Sequence, residues 1–291
     1  MEKAMKIIDV INGEKKSLSF EVFPPKTSEN FESVMKNAAE IALLSPSYMS
    51  VTYGAGGGTS DYTAEIAKRL SELEVLSLAH LTCISSTREK VRSVLDKLRG
   101  FGIENILALR GDKPEGWREE TAEYRSSAEL MREIIDYGGF SIGGACYPEG
   151  HPELATPELN IEALRRKADA GCGFFTTQMF FDNSIYYRFV DRLRGAGIFL
   201  PVVAGIMPVT SPTQIKRIVS ISGNALPERF IKIVEKYGGD SASMREAGVA
   251  YSTEQAAELF ASGVNAVHIY SMNRPDVARD IQSNLRSLIG R

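Results

Sequence analysis

The chain is poor in cysteine. Cys83, Cys146 and Cys172 are its only three in 291 residues, far apart and without a CxxC or metal-finger spacing. So sparse and odd a set excludes a disulfide framework and fits a reducing compartment. No HExxH and no closely spaced ligand pair appears, so no metal is expected. Neither sign of charge dominates: Lys+Arg 34 against Asp+Glu 37 gives a formal net charge of -3. That leaves no broad cationic surface for nucleic acid. No run reaches the roughly 18 apolar residues of a membrane span, and "MEKAMKIIDVINGEKK" lacks the apolar stretch of a signal peptide. The expectation is a soluble, cytoplasmic protein whose partners include neither nucleic acid nor membrane.

What is present is a regular alternation. Hydrophobic residues make up 43% and charged residues 24%, enough apolar material for a large core. Short apolar runs read as parallel strands covered on both faces: "LSFEVF", "YMSVTY", "LSLAHLTC", "NILALRGD", "FSIGGACYPE", "FFTTQMF", "PVVAGIMP" and "AVHIYSMNR". Amphipathic segments separate them, several closed by Gly. Eight such units over 291 residues suit a (β/α)8 barrel, which commonly takes about 250 residues. The expectation is one barrel domain over residues 1–291, with an extra helical insertion at about 226–262 before the last strand. A doubly wound open sheet is the structural alternative.

In a barrel of this kind chemistry gathers at the C-terminal strand ends. Reading those ends gives Glu21, then Thr52 and Tyr53, His80 and Thr82, Arg110 and Asp112, Tyr147 and His151, Gln178, and finally Tyr270, Asn273 and Arg274. Glu21 stands out as an acid in an apolar strand stopped by Pro24 and Pro25; buried without a partner, a carboxylate is costly. The glycines of "VTYGAGGGTSD" miss GxGxxG, because Thr59 falls where the third Gly belongs. They read as a rim loop. In "ALRGDKPEG" Arg110 and Asp112 flank Gly111, either as ligand contacts or as an ordinary salt bridge. His80 reads as a ligand contact and His268 as a core histidine. The run Arg165, Arg166, Lys167 is split around its helix, so part of it turns toward the mouth, where cations suit a diphosphate.

Taken together, "SFEVFPPK", "SVTYGAGG", "AHLTC", "ALRGD", "YPEGHPE", "RRKADAG" with "TTQMFFD", "GIMPV" and "YSMNR" resemble the methylenetetrahydrofolate reductase family, in family order from about residue 19 to 275. The resemblance implies a (β/α)8 barrel binding FAD. It implies reduction of 5,10-methylenetetrahydrofolate to 5-methyltetrahydrofolate, a step of one-carbon metabolism and methionine biosynthesis, with NADH or NADPH as electron donor. It implies that Glu21 is the general acid and touches the substrate, and that Asp112 lies near both flavin and pterin. Gln178 and Arg274 match folate-side positions. Thr52, Tyr53, His80, Arg110, Gly111, Ser126, Ser127, Tyr147, His151, Arg166 and Lys167 match the FAD site.

Under that resemblance, opening the imidazolidine ring needs a proton on the departing nitrogen. The flanking Phe20, Val22 and Phe23 are expected to keep Glu21 protonated by desolvation. Three positions depart from the family pattern. Asn160 and Ala163 stand where an acid and an amide often face the FAD adenosine, and Pro212 stands where some members place an aromatic over the substrate. The sequence ends at Arg291 without the regulatory domain of eukaryotic members, so no feedback inhibition through one is expected. Two other readings stay open: a flavin subunit reduced by an electron-donating partner protein, and a flavin-free barrel moving one-carbon units on a pterin. Homo-oligomerisation also stays open.

Overall fold

The computed structural model describes residues 5–25, 27–53, 60–113, 116–118, 121–215 and 225–290. Eight strands, β1 (Ser17–Val22), β2 (Met49–Val51), β3 (Ser77–Thr82), β4 (Asn105–Leu109), β5 (Ser141–Cys146), β6 (Phe174–Thr177), β7 (Val202–Ile206) and β8 (Ala266–Ile269), pair in parallel in chain order. β8 returns to β1, with Ser17 opposite Ala266 and Phe20 opposite Ile269, so the sheet closes. The eight expected strands are all there, and closure makes this a (β/α)8 barrel rather than an open sheet.

The helices are α1 (Ile7–Ile11), α2 (Phe31–Ala42), α3 (Ser60–Glu72), α4 (Arg88–Gly100), α5 (Ser127–Tyr137), α6 (Pro157–Asp169), α7 (Asn183–Gly195), α8 (Glu228–Tyr237), α9 (Ser241–Ala261) and α10 (Pro275–Leu285). Local chemistry sets their starts. Thr87, Ser126, Thr156, Asp182 and Asp240 each accept a backbone N–H of the following turn, a cap worth about 1 kcal/mol each. None of the described helices is long and apolar enough to cross a membrane.

Strand side chains alternate between two faces. Leu18, Phe20, Val22, Met49, Val51, Ala79 and Leu81 point outward into the core shared with the helices. Leu78, Leu107, Phe174, Val203 and Ala266 point inward, and with Tyr48 they fill the N-terminal end of the barrel. The short helix α1, which the sequence pattern did not show, plugs that end with Ile7 and Ile11; the Ile7 N–H donates to the buried Asn105 Oδ1 at 2.9 Å.

The extra helical material lies before β8, but its parts differ in role. α9 packs against β7, β8, α7 and α10, so it is the barrel-wall helix between the last two strands. The added piece is α8; residues 216–224, just before it, lie outside the described residues. Close approach of α9 depends on Gly248, where a Cβ would collide with the Val209 carbonyl. Phe230 of α8 and Met244 of α9 join Met179, Phe181 and Val209 in an apolar cap over the β6–β7 ends.

Candidate active site

The alternation along β1 turns Ser19 and Glu21 into the barrel. Ser19 Oγ lies 2.7 Å from His268 Nδ1, and Ser50 Oγ lies 3.0 Å from its Nε2. Tyr48 stacks on the same ring at 5.8 Å and Tyr270 meets it edge-on at 5.3 Å. Burial drives His268 down to about 3, so the neutral ring serves as a structural bridge between two serines.

Glu21 stands one layer above. Its Oε2 is 3.9 Å from His80 Nε2, beyond hydrogen-bond reach, and that nitrogen is buried without a hydrogen-bond partner among the described residues. Burial pushes the Glu21 carboxyl up to about 8 and His80 down to about 3. At pH 7 the proton therefore sits on Glu21, and the pair is neutral rather than ionic.

The backbone around Glu21 is clasped by the exit of β8. Ser271 Oγ donates to the Glu21 carbonyl at 2.9 Å. Asn273 accepts the Phe23 N–H and donates to the Phe23 carbonyl, both at 2.9 Å. To do this Met272 and Asn273 each adopt φ +55, a strained conformation for side-chain-bearing residues. One expectation is corrected here. Phe20 and Val22 face the helices, so they do not surround the carboxyl; a two-residue period sends neighbours of an inward residue outward. The desolvation comes from the barrel interior, which leaves the Glu21 side chain 17% exposed.

Beside this well, at the ends of β3, β4 and β5, opens a cavity of about 470 Å³. Arg110 forks onto Glu153, one of its two bonds measuring 2.8 Å, and Lys113 reaches the same carboxylate at 2.8 Å. These hydrogen bonds hold Glu153 at about 2. Lys167 points its ammonium inward, donating to the Ala145 carbonyl at 2.6 Å; burial lowers its pKa. Ser126 and Ser127 open the N-terminus of α5 onto the same space, where backbone N–H groups favour anions. The rings of Tyr147 and His151 meet edge to face at 4.6 Å on the wall. Cations, a helix N-terminus and an aromatic wall form a donor set suited to a dinucleotide diphosphate.

The sequence profile described as Methylenetetrahydrofolate reductase matches residues 6–286. The chain belongs to the methylenetetrahydrofolate reductase family. It is 34% identical over 263 residues to the 5,10-methylenetetrahydrofolate reductase of Escherichia coli (strain K12), covering 90% of this chain and 88% of that one. It is 32% identical over 302 residues to Methylenetetrahydrofolate reductase (NADH) 1 of Arabidopsis thaliana, covering 97% of this chain and 51% of the relative. The chain thus spans about half the length of its plant relatives. A solved structure described as "Uncharacterized protein from Clostridium thermocellum binds two copies of 5-methyl-5,6,7,8-tetrahydrofolic acid" superposes with a TM-score of 0.67 at 13% identity, over 99% of this chain and 100% of that one. At that identity it speaks for the barrel fold.

Of the positions matched to the reductase family pattern, Tyr53, Arg110, Gly111, Asp112, Ser126, Ser127, Tyr147, His151, Arg166 and Lys167 line the one cavity, with Ala163 among them. The basic run splits as its helical spacing requires: Arg165 turns away to the Ala196 carbonyl while Arg166 and Lys167 face in. Arg110 pairs with Glu153, not with its neighbour Asp112.

Asn160 sits apart. Its amide accepts the His151 N–H at 2.6 Å and donates to the Thr156 carbonyl at 2.8 Å, in a groove on the far side of the His151 loop. Thr52 is used through its backbone, donating to Val22 and accepting from Thr63. Gln178 accepts the Met179 N–H at 3.0 Å. Arg274 is half-exposed and forked onto Asp276 at 2.9 and 2.7 Å. Pro212 packs onto Gly238 at the end of α8. The loop with Gly54, Gly56, Gly57 and Gly58 lies outside the described residues.

Sequence reasoning passed over Glu153 as a partner for Arg110 and Lys113. Its one signal was the acid two residues beyond His151 in "YPEGHPE".

Proposed function

We propose that this chain is one catalytic barrel that reduces 5,10-methylenetetrahydrofolate to 5-methyltetrahydrofolate with FAD as cofactor. The observation that carries this reading is the placement of Glu21, a carboxyl turned into the barrel 3.9 Å from His80 and pushed up to about 8 by burial, beside a cavity suited to a dinucleotide. The family and the folate named for the Clostridium thermocellum neighbour support the same substrate class.

Bound in the cavity, the flavin supplies the hydride. The chain's part is to hold and to protonate. Arg110, Arg166, Lys167 and the α5 N-terminus would hold the diphosphate, and the Tyr147–His151 wall would orient the rest. Glu21 donates its proton to the departing ring nitrogen of the folate, which leaves a cationic iminium on the substrate ready for hydride. The Asp112 carboxyl on the cavity rim stabilises that developing positive charge. Gln178 and Arg274 contact the folate, and Arg274 meets its terminal carboxylates by exchanging them for Asp276. NADH is the first donor to try, in keeping with the name of the Arabidopsis relative.

Anaerobic mixing of the FAD-loaded protein with NADH or NADPH should bleach the flavin, and methylenetetrahydrofolate should restore its colour. A well-folded protein that takes up no flavin sinks the proposal. Bleaching by neither nucleotide, with reoxidation by folate after chemical reduction, points to an electron-donating partner protein.

A further inference from the structure

Ser19 pairs with His268 across the β1–β8 seam. Two residues on, in the next inward layer, continuing the same register sets Glu21 level with Tyr270 on strands about 4.8 Å apart. Tyr270 is anchored on its far side. Its hydroxyl donates to the Thr177 carbonyl on β6, across β7. Its ring edge occupies the space where Gly205 of β7 has no side chain: a Cβ there would lie 2.7 Å from the hydroxyl and 2.8 Å from the ring, and would also collide with the Thr177 carbonyl. Gly205 is held in turn, its N–H donating to Thr177 Oγ1 at 2.9 Å.

The hydroxyl is thereby committed to β6 rather than to Glu21, although the carboxyl lies near enough to act on it electrostatically. The titratable groups turned toward the carboxyl from the surrounding strands are His80 on β3 and Tyr270 on β8, with Tyr48 and His268 one layer below. His80 and His268 are uncharged at neutral pH and both tyrosines are pushed above their ordinary range by burial. Among the described residues no charge in that shell competes for the proton, so desolvation decides where it stays.

We propose that Tyr270 is a positioning residue: held by Thr177 and the slot over Gly205, its ring seals the β8 side of Glu21, keeps water out, and leaves the acid's proton for the folate nitrogen. The assignment rests on the reductase reading for its purpose and on the geometry alone for its effect on the carboxyl.

The test reads the carboxyl directly, by infrared titration of the full chain. The protonated C=O band is assigned to Glu21 by its loss in Glu21→Gln. In the wild type this band should persist to about pH 8. Tyr270→Ala, which opens the slot to water, should lower its midpoint by at least one pH unit. Tyr270→Phe, which keeps the ring, should hold the midpoint in place. If the alanine variant does not fold, Tyr270→Leu should still lower the midpoint, by less. In the folate half-reaction the smaller side chains should slow the rate more at pH 7.5 than at pH 6. An unmoved midpoint in a folded variant with the smaller side chain overturns the proposal, as does a rate loss equal at both pH values. The infrared shift needs no folate, so it stands even if the protein proves to act on another substrate.

Discussion

The two halves of the barrel mouth solve opposite electrostatic problems. On the β3–β5 side Arg110, Lys113, Arg166 and Lys167 gather around a cavity, and the acid there, Glu153, is fully ionised and pinned by two cations. On the β8–β1 side Glu21 has an uncharged histidine, an aromatic ring and serines about it, and it stays protonated. Two carboxyls on one rim thus differ from about 2 to about 8. What separates them is not residue type but whether cations or dry walls stand within reach. One half gathers positive charge, and the other keeps charge out.

The strongest way to break this contrast is Glu21→Gln. The folate half-reaction should fall by about 10²–10⁴-fold, the usual worth of a general acid, while flavin reduction by its donor persists; rapid-mixing absorbance separates the two. The same variant should be more stable than wild type near pH 7.5. A carboxyl whose folded pKa is raised loses stability as pH climbs from the unfolded value toward about 8, because the unfolded chain ionises first. Removing it should recover roughly 2–4 kcal/mol, with the gain growing from about pH 5 to pH 8 in thermal melts. A folate half-reaction near wild type in this variant would remove Glu21 from the acid's role.

Lys167→Met attacks the other half. Loss of a buried charge-assisted donor should weaken FAD binding about tenfold to a hundredfold by fluorescence titration, whereas Glu21→Gln should leave it within about twofold. Equal effects of the two would dissolve the contrast. Gly248→Ala tests what lies behind the apolar cap. Its methyl would meet the Val209 carbonyl, and overpacking of about 1–3 kcal/mol should exceed the roughly 1 kcal/mol that alanine adds in a helix interior; a lower melting temperature with unchanged FAD affinity is expected. The smallest effect concerns salt. FAD affinity should drop a few-fold between about 0.05 and 0.5 M salt through screening of the half-exposed cations, while the dry Glu21 midpoint barely moves.

Much of this architecture was legible before any coordinates. The eight strands announced themselves as apolar runs, the rule that barrel chemistry sits at strand ends led from them to Glu21, His80 and Arg110, and a basic run on one helix pointed to Lys167. Motifs with fixed order carried the family. What stayed hidden was tertiary. The flanking Phe20 and Val22 look like a desolvating shell in one dimension, but the pleat sends them to the opposite face. Asn160 is a loop brace because Thr156 and His151 happen to lie within its amide's reach. The role of α9 as wall helix follows from a single glycine meeting a carbonyl some forty residues upstream, for which no periodicity gives a sign. The plug helix α1 is only five residues long, too short for its pattern to show.

The clasp of Asn273 onto Phe23 has a consequence in time. The bonds that fix the strand end carrying Glu21 join residues 250 apart in sequence. During synthesis the acid is made early, yet its enclosure must wait for the final strand to be made and docked. Until then Glu21 is an ordinary ionised carboxylate in water. The residues lining the cavity of Arg110 and Lys167 all come no later in the chain than Lys167, so the last strand contributes none of them. Enclosure of Glu21 is therefore tied to closure of the ring itself.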